Sequence, residues 1–216
     1  MNRRYKFLVE VEKMLYNTFD ELCSKHNIDG EKYPLVIVNT KEEFEVNYKY
    51  MYKLECNSAE ELAVRYITDE LINGTLMYTR VYCILKDGTI IQSIVIPKDK
   101  LMEFLYYQVD VEPEIVKEYL KRSLIHEFGH LLSNIKILSE ENGGDVFTDD
   151  YNTQVDMWND YVKDHNFDDL DDQGIIDYYV YYHGSLPMEK KANAMVGLDP
   201  IDIANEELSL IKKMED

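Results

Sequence analysis

The segment from Glu112 to Leu138 constrains this chain more than any other. It carries apolar residues at Ile115, Val116, Tyr119, Leu120, Leu124, Ile125, Phe128, Leu131, Leu132 and Ile135, a recurrence near 3.6 residues that predicts a long, largely buried amphipathic helix. Pro113 suits the first helical turn, and Asp110 is a plausible cap before it. Charges crowd the front of this helix and then nearly vanish from Ser123 to Ile135. The polar side chains left in that apolar stretch are mainly Ser123, His126, Glu127, His130, Ser133 and Asn134. Ionisable groups in such surroundings are costly unless they are paired or bound to a metal.

Three of them form the pattern His126-Glu127-Phe128-Gly129-His130, an H-E-x-x-H pentapeptide. With 5 histidines in 216 residues, a shuffled chain of this composition carries the pattern with a probability of roughly 0.01. Positions i and i+4 share one helix face, so both imidazoles can direct a ring nitrogen at one ion. Zinc accepts such nitrogens and leaves a position open for chemistry in catalytic sites. Glu127, beside the first ligand, is placed to reach a water that the metal activates, as a general base in peptide-bond hydrolysis. Gly129 is expensive in a helix interior. It is explained if another backbone approaches there, although a simple packing glycine is an equal alternative.

A catalytic zinc usually takes a third protein ligand. The extended pattern H-E-x-x-H-x-x-G-x-x-H fails, because Ser133 and Lys136 stand at its later Gly and His positions. Glu189-Lys190-Lys191-Ala192-Asn193 follows Pro187, a good helix start. Glu189 and Asn193 fall on one face, so one helix can present a ligand and a hydrogen-bonding partner for a zinc-binding histidine. Asp149, Asp150, His165 and His183 are rivals for the third position. For oxyanion stabilisation the candidates lie in Tyr178, Tyr179, Tyr181, Tyr182 and His183, with His183 and Tyr182 singled out.

H-E-x-G-H-L followed by E-x-x-A-N resembles the ImmA/IrrE-type metallopeptidases, a gluzincin-like family. The matching residues are His126, Glu127, Gly129, His130, Leu131, Glu189, Ala192 and Asn193. The resemblance implies a zincin-like fold, one zinc ion per chain held by His126, His130 and Glu189, and cleavage of a protein, often a regulator.

The remaining chain predicts an α+β order. Residues 3–26 read as a helix, Tyr33–Val38 and Phe44–Leu54 as strands, and Ser58–Ile72 as a capped helix. Thr75–Leu85 and Thr89–Ile96 flank Lys86-Asp87-Gly88 as a hairpin. A short helix over Lys98–Tyr107 leads to the long one. Gly- and acid-rich Ser139–Asp150 reads as a hinge, with helices near 151–164, 187–197 and 200–213 beyond it. The division expected is an N-terminal lobe, 1–139, with a mainly antiparallel sheet and the H-E-x-x-H helix, and a mainly helical C-terminal lobe, 140–216, carrying the third ligand. Thr89–Ile96 is the candidate edge strand for an extended substrate.

Net charge is −19, which disfavours nucleic-acid backbones and can steer a basic protein substrate or partner. The acid run Asp164–Asp172 reads as a solvated loop. There is no membrane-length apolar run. Cys23, Cys56 and Cys83, odd in number and widely spaced, read as reduced thiols of a cytoplasmic protein. The leading expectation is a zinc endopeptidase. The alternative is a non-enzymatic acidic binding protein, a nucleic-acid mimic or inhibitor of a basic partner.

Overall fold

The computed structural model describes residues 3–38, 76–84, 90–108, 111–164 and 170–215. The chain is mostly helical with a small mixed sheet, an α+β arrangement. The strand expected at Phe44–Leu54, the helix at Ser58–Ile72, the turn Lys86–Gly88, the Asp110 cap and His165 lie outside the described residues.

Helix α1, Arg3–His26, buries Leu8, Val11, Leu15, Phe19, Leu22 and Cys23 at three- and four-residue spacing, the stripe that an amphipathic helix needs to dock on a core. It stops where Asn27 turns left-handed, with φ of 54°, a conformation asparagine tolerates better than most residues. Burial pushes the Cys23 thiol up to about 11, aided by Asp20 and Asp29, so it stays protonated and unreactive at neutral pH.

Strands β1 (Leu35–Val38), β2 (Tyr78–Ile84) and β3 (Ile90–Pro97) pair in the order β1-β3-β2. β1 runs parallel to β3, with Leu35 opposite Ile94, and β2 runs antiparallel to it, with Thr79 opposite Ile94. The hairpin partners are therefore as expected, but the sheet is mixed rather than mainly antiparallel. A second correction concerns the substrate edge. All eight residues of β3 are buried and it is the central strand, so it has no free row of backbone donors. A continuous apolar run fits a strand covered on both faces as well as it fits an edge. Among the described residues β2 is an outer strand.

Helix α2, Lys98–Tyr107, follows directly and buries Leu101 and Leu105. Then comes α3, Pro113–Leu138, with Pro113 in its first turn and Glu112 at the cap position. Val116, Leu120, Leu124, Phe128, Leu131 and Leu132 are buried along it, and they join α1 and the sheet in one core. Phe128 meets Phe19 of α1 edge-on, with ring centroids 5.9 Å apart, a favoured aromatic geometry.

Helix α4 spans Gly143–Asp164, so the expected hinge is largely helix and only residues 139–142 connect it to α3. The turn is tight. Asn142 has φ of 64°, and a Cβ on Gly143 would sit on the Ile137 carbonyl. Glycines that look like loop signals here permit a close chain reversal at a helix start. After α5 (Asp172–Asp177), capped by Asp171 accepting from the Gly174 amide, a π-helical turn covers Tyr178–Tyr182 and a 3₁₀ turn covers His183–Ser185. Helices α6 (Pro187–Val196) and α7 (Pro200–Glu215) complete the chain. Among the described residues no helix is long and apolar enough to cross a membrane.

Candidate metal centre

α3 and α6 pack with their backbones unusually close, and Gly129 is the reason. A Cβ at that position would lie 2.3 Å from the Ala192 carbonyl oxygen, well inside any real contact. The helix-interior glycine is thus a close-approach residue. The approach brings His126 and His130 of α3 against Glu189 and Asn193 of α6.

The donor atoms converge. His126 Nε2 lies 2.9 Å and His130 Nε2 3.1 Å from Glu189 Oε2, and the two Nε2 atoms are 3.2 Å apart. Ligands held 2.0–2.1 Å from a tetrahedral zinc stand about 3.3 Å from one another, so the triangle has nearly the edge lengths that such an ion requires. His126 Nδ1 donates to Asn193 Oδ1 at 2.8 Å, so in the neutral ring the lone pair sits on Nε2, facing the other two groups. His126, His130 and Glu189 can therefore hold a metal ion, with Asn193 orienting the first of them.

The electrostatics agree with a cation-binding site. Burial disfavours the charged form of His126, yet hydrogen bonding to Glu189, the charges of Glu127 and Glu189 and the Asn193 bond outweigh it and raise its pKa to about 9. Burial likewise opposes ionisation of Glu189, but His130, the hydrogen bonds to His126 and His130, and His183 hold its carboxyl well below the usual range. The site keeps an anionic carboxylate among imidazoles, a charge pattern that a divalent cation satisfies in place of a proton. Burial lowers the pKa of His183, with Glu189 opposing.

Two contacts complete the surroundings. Gln154 of α4 donates through Nε2 to Glu189 Oε1 at 3.1 Å and accepts the Met188 amide on Oε1 at 3.1 Å. Thr79 of β2 donates its hydroxyl to the Glu127 carbonyl at 2.7 Å, tying the outer strand to the histidine helix. Sequence reasoning finds neither residue. No local pattern marks a glutamine or threonine whose partner lies 35 or 48 residues away.

A cleft of about 260 Å³ opens beside the donors, lined by His126, Glu127, Tyr179 and His183 with Leu76 and Met77 leading in from β2. Two pairs also line it. Arg122 bonds Glu206 at 2.8 Å, and the Tyr119 hydroxyl donates to Glu207 Oε1 at 2.7 Å. Burial raises the pKa of Glu207, with the hydrogen bonds from Tyr119 and Tyr179 opposing.

His183 reaches the site, its Nε2 3.6 Å from Glu189 Oε2. Tyr182 does not line the cleft. Its ring stacks on Tyr161 at 4.0 Å between centroids, and Tyr179 takes the place beside His183. Asp150 pairs with Lys191 and Asp149 is exposed, so neither joins the metal group.

Compared with known proteins, the chain matches no protein-family model, and no similar curated protein or solved structure was found.

Proposed function

We propose that this protein is a zinc-dependent endopeptidase of the gluzincin type, as its resemblance to the ImmA/IrrE-type metallopeptidases implies. The observation that carries the reading is the near-tetrahedral triangle of His126 Nε2, His130 Nε2 and Glu189 Oε2 beside a cleft lined by Glu127. Bound there, zinc supplies Lewis acidity, activating water at neutral pH and polarising a carbonyl.

The chain's own groups do the rest. Glu127 follows the first ligand on α3, and its carboxylate takes the proton from the attacking water and delivers it to the departing amine. Asn193 holds the His126 ring in register. His183, which lines the cleft with its Nε2 3.6 Å from Glu189 Oε2, is the group placed to donate toward a developing oxyanion, while Tyr179 lines the cleft with its hydroxyl committed to Glu207. Strand β2, which ends the described sheet and leads into the cleft through Leu76 and Met77, replaces β3 as the edge on which an extended peptide adds by main-chain pairing. The net charge of −19 favours a substrate with basic segments.

The test begins with metal content, by elemental mass spectrometry, of wild type and Glu189→Ala purified without chelator. Stoichiometric zinc in wild type and marked loss in the variant are expected. Glu127→Gln is then assayed on a mixed peptide library read by mass spectrometry. It should keep zinc and lose about 10²–10⁴-fold in cleavage rate. Absence of zinc from wild type, even after its addition at neutral pH, sinks the reading and leaves the acidic binding protein.

A further inference from the structure

A glutamate ligand has two oxygens, and nothing in its own chemistry decides whether it offers a metal one or both. In this protein Oε2 of Glu189 faces the two histidine nitrogens, while Oε1 is taken by Gln154 Nε2 at 3.1 Å. Glu189 is only 8% exposed, so little water competes for Oε1, and a hydrogen bond to a buried carboxylate is among the stronger kinds.

Gln154 is itself held. Its Oε1 accepts the amide of Met188, the residue before the ligand. One turn earlier on α4, Asp150 pairs with Lys191, two residues beyond the ligand. Two contacts four residues apart therefore splint α4 along α6 on both sides of Glu189. The glutamine amide can neither ionise nor ligate well, and its two ends match a carboxylate acceptor and a backbone donor.

We propose that Gln154 is a positioning residue that holds Glu189 to one-oxygen ligation, keeping the metal at three protein bonds with a position open for substrate. The proposal rests on the metal-centre reading above. Without the donor, Glu189 swings toward two-oxygen ligation, its geometry loosens, and the open position is partly filled.

The test is a double-mutant cycle on zinc affinity, by chelator competition, with Gln154→Leu, Glu189→Ala and the double variant, alongside absorption spectra of the cobalt(II) forms. Gln154→Leu should weaken zinc binding about 10–100-fold, the usual effect of losing a group that orients a metal ligand. It should also lower the visible cobalt absorption, since five-coordinate cobalt absorbs less than four-coordinate. In the Glu189→Ala background the same substitution should change zinc affinity less than about twofold, because its target is gone. Gln154→Met fills a similar volume without a donor, so it should reproduce the loss if Gln154→Leu folds poorly. Wild-type affinity and cobalt spectrum in a folded variant overturn the proposal. So does an equal loss in both backgrounds, which marks a general packing role. Absence of zinc from wild type overturns the metal centre itself, and is thereby distinguished from failure of the Gln154 inference.

Discussion

Gly129→Ala places one methyl group where the helix of His126 and His130 meets the helix of Glu189. Its Cβ would stand 2.3 Å from the Ala192 carbonyl oxygen and 3.1 Å from Val196 Cγ2. Real contacts of this kind stop near 3.0 Å, so α6 has to retreat by about 0.7 Å or α3 has to bend. Metal–ligand distances tolerate about 0.2 Å, and Glu189 and Asn193 both ride on the displaced helix. For stability, alanine gains about 1 kcal/mol over glycine in a helix interior, and overpacking costs about 1–3 kcal/mol. The net loss is then about 0–2 kcal/mol, or up to about 8 °C in Tm for a chain of this size. Melting alone therefore decides little. Zinc affinity is the sharper readout, and we expect a loss of at least about tenfold by chelator competition, seen also as about 1.4 kcal/mol less stabilisation by zinc. Gly144→Ala is the control. Gly144 lies in the first turn of α4 with nothing within 4 Å of its Cβ position, so zinc affinity should not change. If Gly129→Ala binds zinc within about twofold of wild type and melts at the same temperature, the close approach is not what positions Glu189.

Other expectations follow from the same geometry. Asn193→Ala frees the His126 ring and should weaken zinc about 10–100-fold, whereas Asn193→Asp, which still accepts from Nδ1, should recover most of it; equal losses in both would exclude the orienting role. Because the metal-free His126 pKa is raised to about 9 from 6.5, zinc has to displace a proton at neutral pH. Affinity should rise about tenfold per pH unit from pH 7 to about 9, and competition titrations that stay flat over this range would contradict it. For the metal-free protein the signs are opposite for the two groups. The contribution of His126 to stability is fully present below about 6.5 and is lost as pH rises through about 9, while that of Glu189 is present above 4.5 and is lost as pH falls below its depressed value. Melts in chelator should therefore weaken toward pH 9. Tyr182→Phe should leave cleavage rates unchanged and His183→Phe should lower them; a loss with Tyr182→Phe alone would put the wrong ring in the cleft.

Much of the helical framework was legible. The bounds of α1 and α2 are those expected from the sequence, and α1 owes this to its apolar stripe. The segment Ser139–Asp150 reads as a hinge because Gly143 and Gly144 give it the composition of a loop, whereas Gly143 permits a tight reversal and both glycines stand in the first turn of a helix. The tyrosine-rich run 178–182 carries no local mark of which ring faces the cleft, and only the stacking of Tyr182 on Tyr161 takes that ring away from it. The central place of β3 could not be read from its own residues, because burial on both faces leaves the same apolar run whichever strands flank it.

The local sequence by itself determined the two half-sites. H-E-x-x-H on a helix must put His126 and His130 on one face with Glu127 beside them, and E-x-x-x-N must align Glu189 with Asn193, because both follow from the fixed rise and turn of an α-helix. Only the tertiary structure decided that these halves meet. Glu189 lies 59 residues from His130, and several other carboxylates had the same local chemistry. Glu189 was selected by the docking of α6 across Gly129 and by the run of α4 that brings Gln154 to its second oxygen. Contacts of that kind depend on the mutual placement of three helices, which no single segment encodes.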